Sequence, residues 1–294
     1  MRKAFIQLHI AILLAGLTGI LGRLITLNEA WLVFYRLLIS ALTMFLIFSF
    51  SGKLKKVSFR DILLIMGVGA IAALHWVSFF GAIKYANVSV ALVCFSSVGF
   101  FTSFLEPLFT KRRIVWMEVI LGLLVMVGIY IIFHFDTQFK TGIIIGIVSA
   151  ALAAIFPIFN RQFMQRMNAP TLMTYELTGG WLTLCLLLPL YEAQFPSVYW
   201  WPTFSDWIWL LVLSWLCSVW AFQLSANALK KISAFTVNLS YNLEPVYGIL
   251  LAFAVFHENE NLDNGFFIGL TIIILVVLWQ SWRIYQSRSR VDRS

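Results

Sequence analysis

Charge is scarce in this sequence: only 12% of its 294 residues are Asp, Glu, Lys or Arg, while 61% are hydrophobic. A soluble domain of this length needs far more charge to cover its surface, so a soluble enzyme or binding module is excluded. Cysteine is scarce too. Cys94, Cys185 and Cys217 all lie inside apolar runs and read as inert thiols, so neither a disulfide set nor a metal site is expected. The chain lacks a Gly-rich phosphate loop, an HExxH and any Cys/His cluster, which argues against ATP hydrolysis and metal or cofactor chemistry. The net charge of +8 is read as topology charge in loops, and no nucleic-acid partner is expected.

Long apolar runs are abundant. A membrane-spanning helix needs about 20 apolar residues. Reading between charge and turn clusters gives ten such spans, at 4–24, 30–50, 61–84, 88–110, 114–134, 141–161, 170–190, 206–229, 234–256 and 264–284. The fold class is therefore an all-α polytopic membrane protein seated in a lipid bilayer. The 12 Trp residues suit interface belts. The opening MRKAFIQLHIAILLAGLTGILG is similar to a signal peptide, but its apolar run is long enough to span and no small-residue cleavage site follows, so it is read as span 1.

Lys and Arg fall almost entirely on alternate loops. One side receives Arg2 and Lys3, then Lys53, Lys55, Lys56 and Arg60, then Lys111, Arg112 and Arg113, then Arg161 and Arg166, then Lys230 and Lys231, and the basic tail. The opposite loops carry Glu29, Asp136, Glu192, Asp206, Glu258, Glu260 and Asp263. The positive-inside rule then puts both termini in the cytoplasm of a cell (inner) membrane protein.

The two halves repeat weakly, in order. FNRQF (159–163) matches LGRLI (21–25), and NAPTLMTYELTGG (168–180) matches NEAWLVFYRLLIS (28–40), pairing Arg36 with Glu176. NALKKISAFTVNL (227–239) matches GAIKYANVSVALV (81–93). Each half, 4–134 and 141–284, holds five spans. Five is odd, so the second half inserts upside down, a recurrent transporter plan with its site near the midplane.

These segments carry a resemblance. YRLLISAL (35–42), ALKKISAFTVNLSYNLEPVYGILLAFAVFHEN (228–259) and GFFIGLTIIILV (265–276), in this order over nearly the whole chain, resemble the EamA-type transporters of the drug/metabolite transporter superfamily. The first half departs from the pattern: Gly99 stands where the second half has Pro245, and Arg112 where an acidic residue closes the repeat. The resemblance implies carriage of a small metabolite, often outward, by alternating access. It also implies a central cavity walled by spans 1, 3, 4, 6, 8 and 9.

Charged and polar groups inside spans are functional candidates, because each costs about 2.5–3.5 kcal/mol at mid-bilayer. In span 9, Asn238, Tyr241, Asn242 and Pro245 form one helical stripe with Glu244 beside it, near mid-depth. Pro245 frees the carbonyl of Tyr241. Span 8 offers Trp220, Gln223 and Asn227, span 3 offers His75 and Trp76, and span 4 offers Ser96, Gly99, Ser103 and Glu106. The expected substrate contacts are His75, Trp76, Trp220, Gln223, Asn238, Tyr241, Asn242 and Glu244. Arg36, Glu106 and Glu176 are expected to form gates or local ion pairs. His75 is either an interhelical hydrogen-bond donor or a proton relay.

The glycine pairs 142/146 and 265/269 have close-packing spacing, and a homodimer through spans 5 and 10 is a further expectation. The leading reading is a secondary transporter and not an enzyme. It would export a small metabolite such as an amino acid, in exchange with protons. The alternatives are a sugar or nucleotide-sugar carrier, an intramembrane enzyme and a non-transporting membrane protein.

Overall fold

The computed structural model describes residues 2–135, 137–229, 231, 237 and 240–291. Every long element among them is helical, and no strand is present among the described residues. The elements are α1 (Arg2–Leu24), α2 (Glu29–Phe50), α3 (Phe59–Tyr85), α4 (Val88–Phe95), α5 (Val98–Thr110), α6 (Trp116–Phe135), α7 (Lys140–Phe163), α8 (Ala169–Gln194), α9 (Phe204–Ser214), α10 (Ala221–Leu229), α11 (Glu244–Phe256) and α12 (Asn264–Val291). Helices are what a bilayer demands, since the backbone must satisfy its own N–H and C=O groups.

Among the described residues, eight stretches are long and apolar enough to cross a membrane, the fourth combining α4 with α5 and the eighth running from α9 into α10. The remaining apolar helices, Glu244–Phe256 and Asn264–Gln280, are shorter and lie where spans 9 and 10 were expected. Side-chain caps start five helices. Asn28, Ser58, Asn87 and Asn168 each accept a backbone N–H of the first turn, and Thr203 forms a capping box with Asp206.

Hydrogen bonds sort the helix ends onto two faces. Lys84 Nζ donates to the Ile25 carbonyl at 2.9 Å, and the Thr26 N–H donates to Asp206 at 2.7 Å. The ends of α1 and α3 and the starts of α2 and α9 therefore share one acidic face. At the other, basic face, Asn168 Nδ2 donates to the Lys53 carbonyl at 2.8 Å and the Lys55 N–H to Thr171 Oγ1 at 2.9 Å. So α1, the first helix of the first half, and α7, the first helix of the second, end on opposite faces.

The packing follows the same relation. Helix α1 lies against α10 and α11, while α7 lies against α3, α4 and α5; α2 meets α8, and α6 meets α12. Small residues make these approaches close. Gly128 and Gly269 bring the α6 and α12 backbones together, and Gly146 faces Cys94. Gly142 meets Ala82 and Ala86, so the first glycine pair does serve packing within the chain.

Spans 4 and 9 share a local irregularity. The α-helical ladder is interrupted at Ser96–Ser97 and again at Asn242–Leu243. Both turns tighten to i→i+3 bonding, Ser97 N to the Cys94 carbonyl and Leu243 N to the Ser240 carbonyl, each at 3.0 Å. The helices that follow, Val98–Thr110 and Glu244–Phe256, have 13 residues each. Each ends at a residue in the left-handed region, Lys111 (φ 56°) and His257 (φ 52°). The displacement that puts Val98 on Glu244 is the one that put Gly81 on Asn227 in the sequence. The expected continuous stripe of span 9 is corrected here: the helix restarts at Glu244, and Pro245 falls in its first turn, where a missing N–H costs nothing.

A glycine pair on α3 tests the packing. A Cβ on Gly69 would overlap the Glu176 carbonyl of α8, whereas one on Gly67 meets nothing within 4 Å. Gly69→Ala is expected to lower stability by about 1–3 kcal/mol. Gly67→Ala should be neutral or stabilising by about 0.5–1 kcal/mol. Thermal unfolding of the two variants in detergent, side by side, checks the contrast.

Candidate functional site

Arg36 lies two turns into α2, about 10 Å from its start at 1.5 Å per residue, and only 5% of it is exposed. Its guanidinium carbon sits 4.7 Å from the Trp76 ring centre and 5.6 Å from that of Phe80. Trp76 and Phe80 are one helical turn apart on α3 and present one aromatic face to the cation. Nε donates to Ser218 Oγ at 3.2 Å.

The position of Ser218 has a local cause. Residues Trp215–Trp220 form a π-helical turn between α9 and α10. The Ser218 hydroxyl donates to the Leu213 carbonyl at 3.2 Å, which turns a lone pair toward Arg36. Irregular turns of this kind concentrate at functional sites.

Opposite Arg36 stands Glu244, which opens α11. The two interact electrostatically, and Glu244 also acts on Tyr241. A carboxylate in the first turn of a helix is favoured by the helix dipole. Among the described residues no cation lies within 4.0 Å of Glu244, so it forms no ion pair there. Arg36 Nη1 is buried with no hydrogen-bond partner, and so is Ser40 Oγ one turn farther along α2. Leaving a buried polar group unpaired costs about 1–3 kcal/mol, more when it is charged.

The expected contact residues divide between this site and other places. Trp76 lies against Arg36, and Glu244 is within electrostatic reach of it; Tyr241 packs instead on the cluster that includes Ala4, Leu8 and Ile12 of α1. Tyr241 OH lies 2.5 Å from Ser225 Oγ on α10, where Gln223 Nε2 also reaches Asn227 Oδ1 at 3.4 Å. Asn242 is half-buried at the tight turn, and Trp220 is half exposed. Asn238 lies outside the described residues.

His75 is taken up by packing. Its Nδ1 meets the Ser149 carbonyl at 3.0 Å and Ser149 Oγ at 2.9 Å, and that hydroxyl donates back to the His75 carbonyl at 3.1 Å. Four aromatic rings, of Trp76, Phe79, Phe95 and Phe156, surround it. The interhelical donor, and not the relay, describes this geometry.

The charged candidates also separate. Glu176 is buried and accepts from Asn160 Nδ2 at 3.1 and 2.9 Å, with no cation at ion-pair distance among the described residues. Glu106 takes Arg161 at 3.2 Å and Arg112 at 3.4 Å on the basic face, beside a cleft of about 330 Å³. Arg36 forms no ion pair within 4.0 Å among the described residues. It also adds span 2 to the set of helices expected around the centre.

The sequence reading missed the strongest closure. On the acidic face, Glu258 pairs with Arg23 of α1. The same carboxylate accepts the Val88 N–H at 3.0 Å, the Ser89 N–H at 2.8 Å and Ser89 Oγ at 2.6 Å, and it is 3% exposed. One side chain thus caps α4 and holds α1 to the end of α11. The signal was present: Glu258 follows α11 directly, and Arg23 matches Arg161 across the repeat.

The profile of the EamA-like transporter family matches residues 2–134 and again residues 140–281. The chain belongs to the EamA-like transporter family. It is a multi-pass membrane protein of a transporter family in which the family unit occurs twice. No protein of curated function matches this EamA-like chain in sequence. A solved structure, described only as the crystal structure of a protein, is 15% identical over 94% of this chain and 96% of its own, with a TM-score of 0.61. At that identity the likeness speaks for the fold alone.

Glu258→Ala strips a partner from Arg23 and from two N–H groups of α4. The expected loss is about 1–3 kcal/mol, the cost of leaving buried N–H groups of α4 unsatisfied, because the Arg23 side chain is 42% exposed and stays solvated. Glu258→Gln, which keeps an acceptor oxygen, should lose less. Unfolding midpoints of the two proteins in the same detergent give the comparison.

Proposed function

We propose that this EamA-like protein is a secondary transporter that exports a small metabolite by alternating access. In this reading it crosses the cell membrane ten times, as two inverted five-span repeats with both termini in the cytoplasm. The observation that carries it is the pair of matched interruptions, Ser96–Ser97 in span 4 and Asn242–Leu243 in span 9. Corresponding breaks in the two halves, next to a charged site, are what a carrier needs to bend about a central substrate.

The unequal ends of the bundle support a resting direction. On the acidic face Glu258 is buried under four partners. On the basic face the counterpart of Glu258 is Arg112, and the closing carboxylate comes instead from Glu106, 31% exposed and held by two arginines that are 60% and 62% exposed. A buried, multiply bonded carboxylate resists opening, whereas exposed ion pairs contribute about 0–1 kcal/mol each. The favoured state is then closed on the acidic, outer side and accessible from the cytoplasm, which suits loading for export.

Proton coupling is assigned to Glu244, since His75 is held by Ser149. Glu244 is half-buried, has no cation at ion-pair distance among the described residues, and stands at the hinge. Protonating it would change the field at Arg36 in step with bending of span 9.

Purified protein in proteoliposomes, tested for counterflow of a broad metabolite panel with and without a pH gradient, decides the reading. Gradient-driven or exchange flux is expected for at least one compound. Glu244→Gln should remove the dependence of the flux on the pH gradient. Absence of flux across the panel ends the transporter reading, and an unaltered pH dependence in Glu244→Gln ends the coupling role.

A further inference from the structure

We infer that a groove between α1 and α11 seats one acyl chain of an anionic phospholipid, with Arg2 and Lys3 holding its phosphate. The groove lies on the outside of the bundle, away from Arg36, and the inference does not rest on the transport reading.

The first helix has two unlike faces. Ala4, Leu8 and Ile12 recur at i, i+4 and i+8 and are buried in one cluster with Ala228 of α10. Phe5, Ile6 and Leu13 are exposed. Together with Arg2, His9 and Tyr247 of α11 they line a groove of about 420 Å³. Farther along, Gly16 meets the Gly248 backbone, and the groove lies between that close contact and the start of α1.

Its length and lining select the occupant. Arg2 to Leu13 is about 16 Å along the helix, the depth of one leaflet of a hydrocarbon core about 30 Å thick. The Arg2 end lies on the basic face, since α1 finishes on the acidic one. Lys3 adds a second exposed cation there. Deeper in, the lining is apolar apart from His9 and Tyr247, whose Nδ1 and hydroxyl lie 3.1 Å apart and bond to each other. A sugar or a nucleotide would meet cations at the rim and little to bond below them, and would lose its water for nothing. A phospholipid brings an anion to the rim and a chain to the rest, and basic pockets between spanning helices take such head groups. The seated chain covers the His9–Tyr247 bond and so holds α1 to the first turn of α11, where span 9 restarts.

The test uses the full-length protein in a mild detergent. Retained lipid is counted by native mass spectrometry, and unfolding temperature is recorded with phosphatidylglycerol, phosphatidylcholine and diacylglycerol of the same chains, and with glycerol 3-phosphate. Phosphatidylglycerol is expected to bind most tightly and to raise the unfolding temperature; glycerol 3-phosphate should do neither. Arg2→Gln and Lys3→Gln should each cut the preference for phosphatidylglycerol over phosphatidylcholine by about fivefold, one surface charge apiece. Ile6→Trp, which fills the groove from an exposed position, should weaken both phospholipids by at least about tenfold, an obstructed chain site. Leu186→Trp, equally exposed to the bilayer on α8, should change neither. If Ile6→Trp does not fold, Leu13→Trp carries the comparison.

Equal binding of the two phospholipids, or a preference unaltered in both Gln variants, overturns the assignment of the phosphate to Arg2 and Lys3. Ile6→Trp behaving like Leu186→Trp overturns the groove. Glycerol 3-phosphate stabilising as well as phosphatidylglycerol makes the occupant a free anion and overturns the lipid. A wild-type dimer that Ile6→Trp converts to monomer, with lipid retention unchanged, makes it a second copy of the chain and overturns the lipid as well.

Discussion

A permanent positive charge in the apolar interior organises the centre of this protein. Arg36 cannot shed its proton, and burial deprives it of water, so its neighbours must offset the charge. Three otherwise separate irregularities converge on it. The aromatic face of α3 is built from Trp76 and Phe80 one turn apart. The π turn before α10 aims Ser218 at Nε. The restart of span 9 places Glu244 in the first turn of α11, where an anion is favoured. The offset is incomplete, since Nη1 has no partner.

The two faces illustrate how a repeat can be kept in outline and altered in detail. Arg23 and Arg161 occupy matching places at the ends of α1 and α7, and each finds a carboxylate on the partner half's side of the bundle. Only one of those carboxylates stands at the matching position. Glu258 follows α11 directly and reaches the free N–H groups at the start of α4 as well as Arg23. Glu106 lies farther inside α5, because Arg112 occupies the place corresponding to Glu258. The consequence is a strong closure on one face and a weak one on the other, from nearly the same scaffold.

Much of the scaffold was legible because membrane burial writes itself into composition. Apolar runs, alternating basic loops and the weak repeat led to an all-helical membrane protein, and the matched breaks in spans 4 and 9 fall in the register that the repeat implied. The site was legible in part. Trp76 lies against Arg36, whereas Tyr241 packs on the cluster around Leu8 and Ile12 of α1. His75 looked equally promising by type, but its ring is bound to Ser149 across the α3–α7 contact. Arg36 was noticed as a charge within a span, but no spacing within α2 tells that Trp76 and Phe80 of α3 lie beside it.

What the sequence by itself determined is the solvent this chain needs, the helical class, and the repeat that runs through it, because hydropathy and periodicity are local properties. Which buried group meets which was decided only by the tertiary structure. The partners of Arg36 come from α3, the π turn and α11, and those of Glu258 from α1 and α4, all distant along the chain. The physical reason is that the field around a buried charge is set by the distances to its neighbours in space, and helix packing, not chain order, sets those distances.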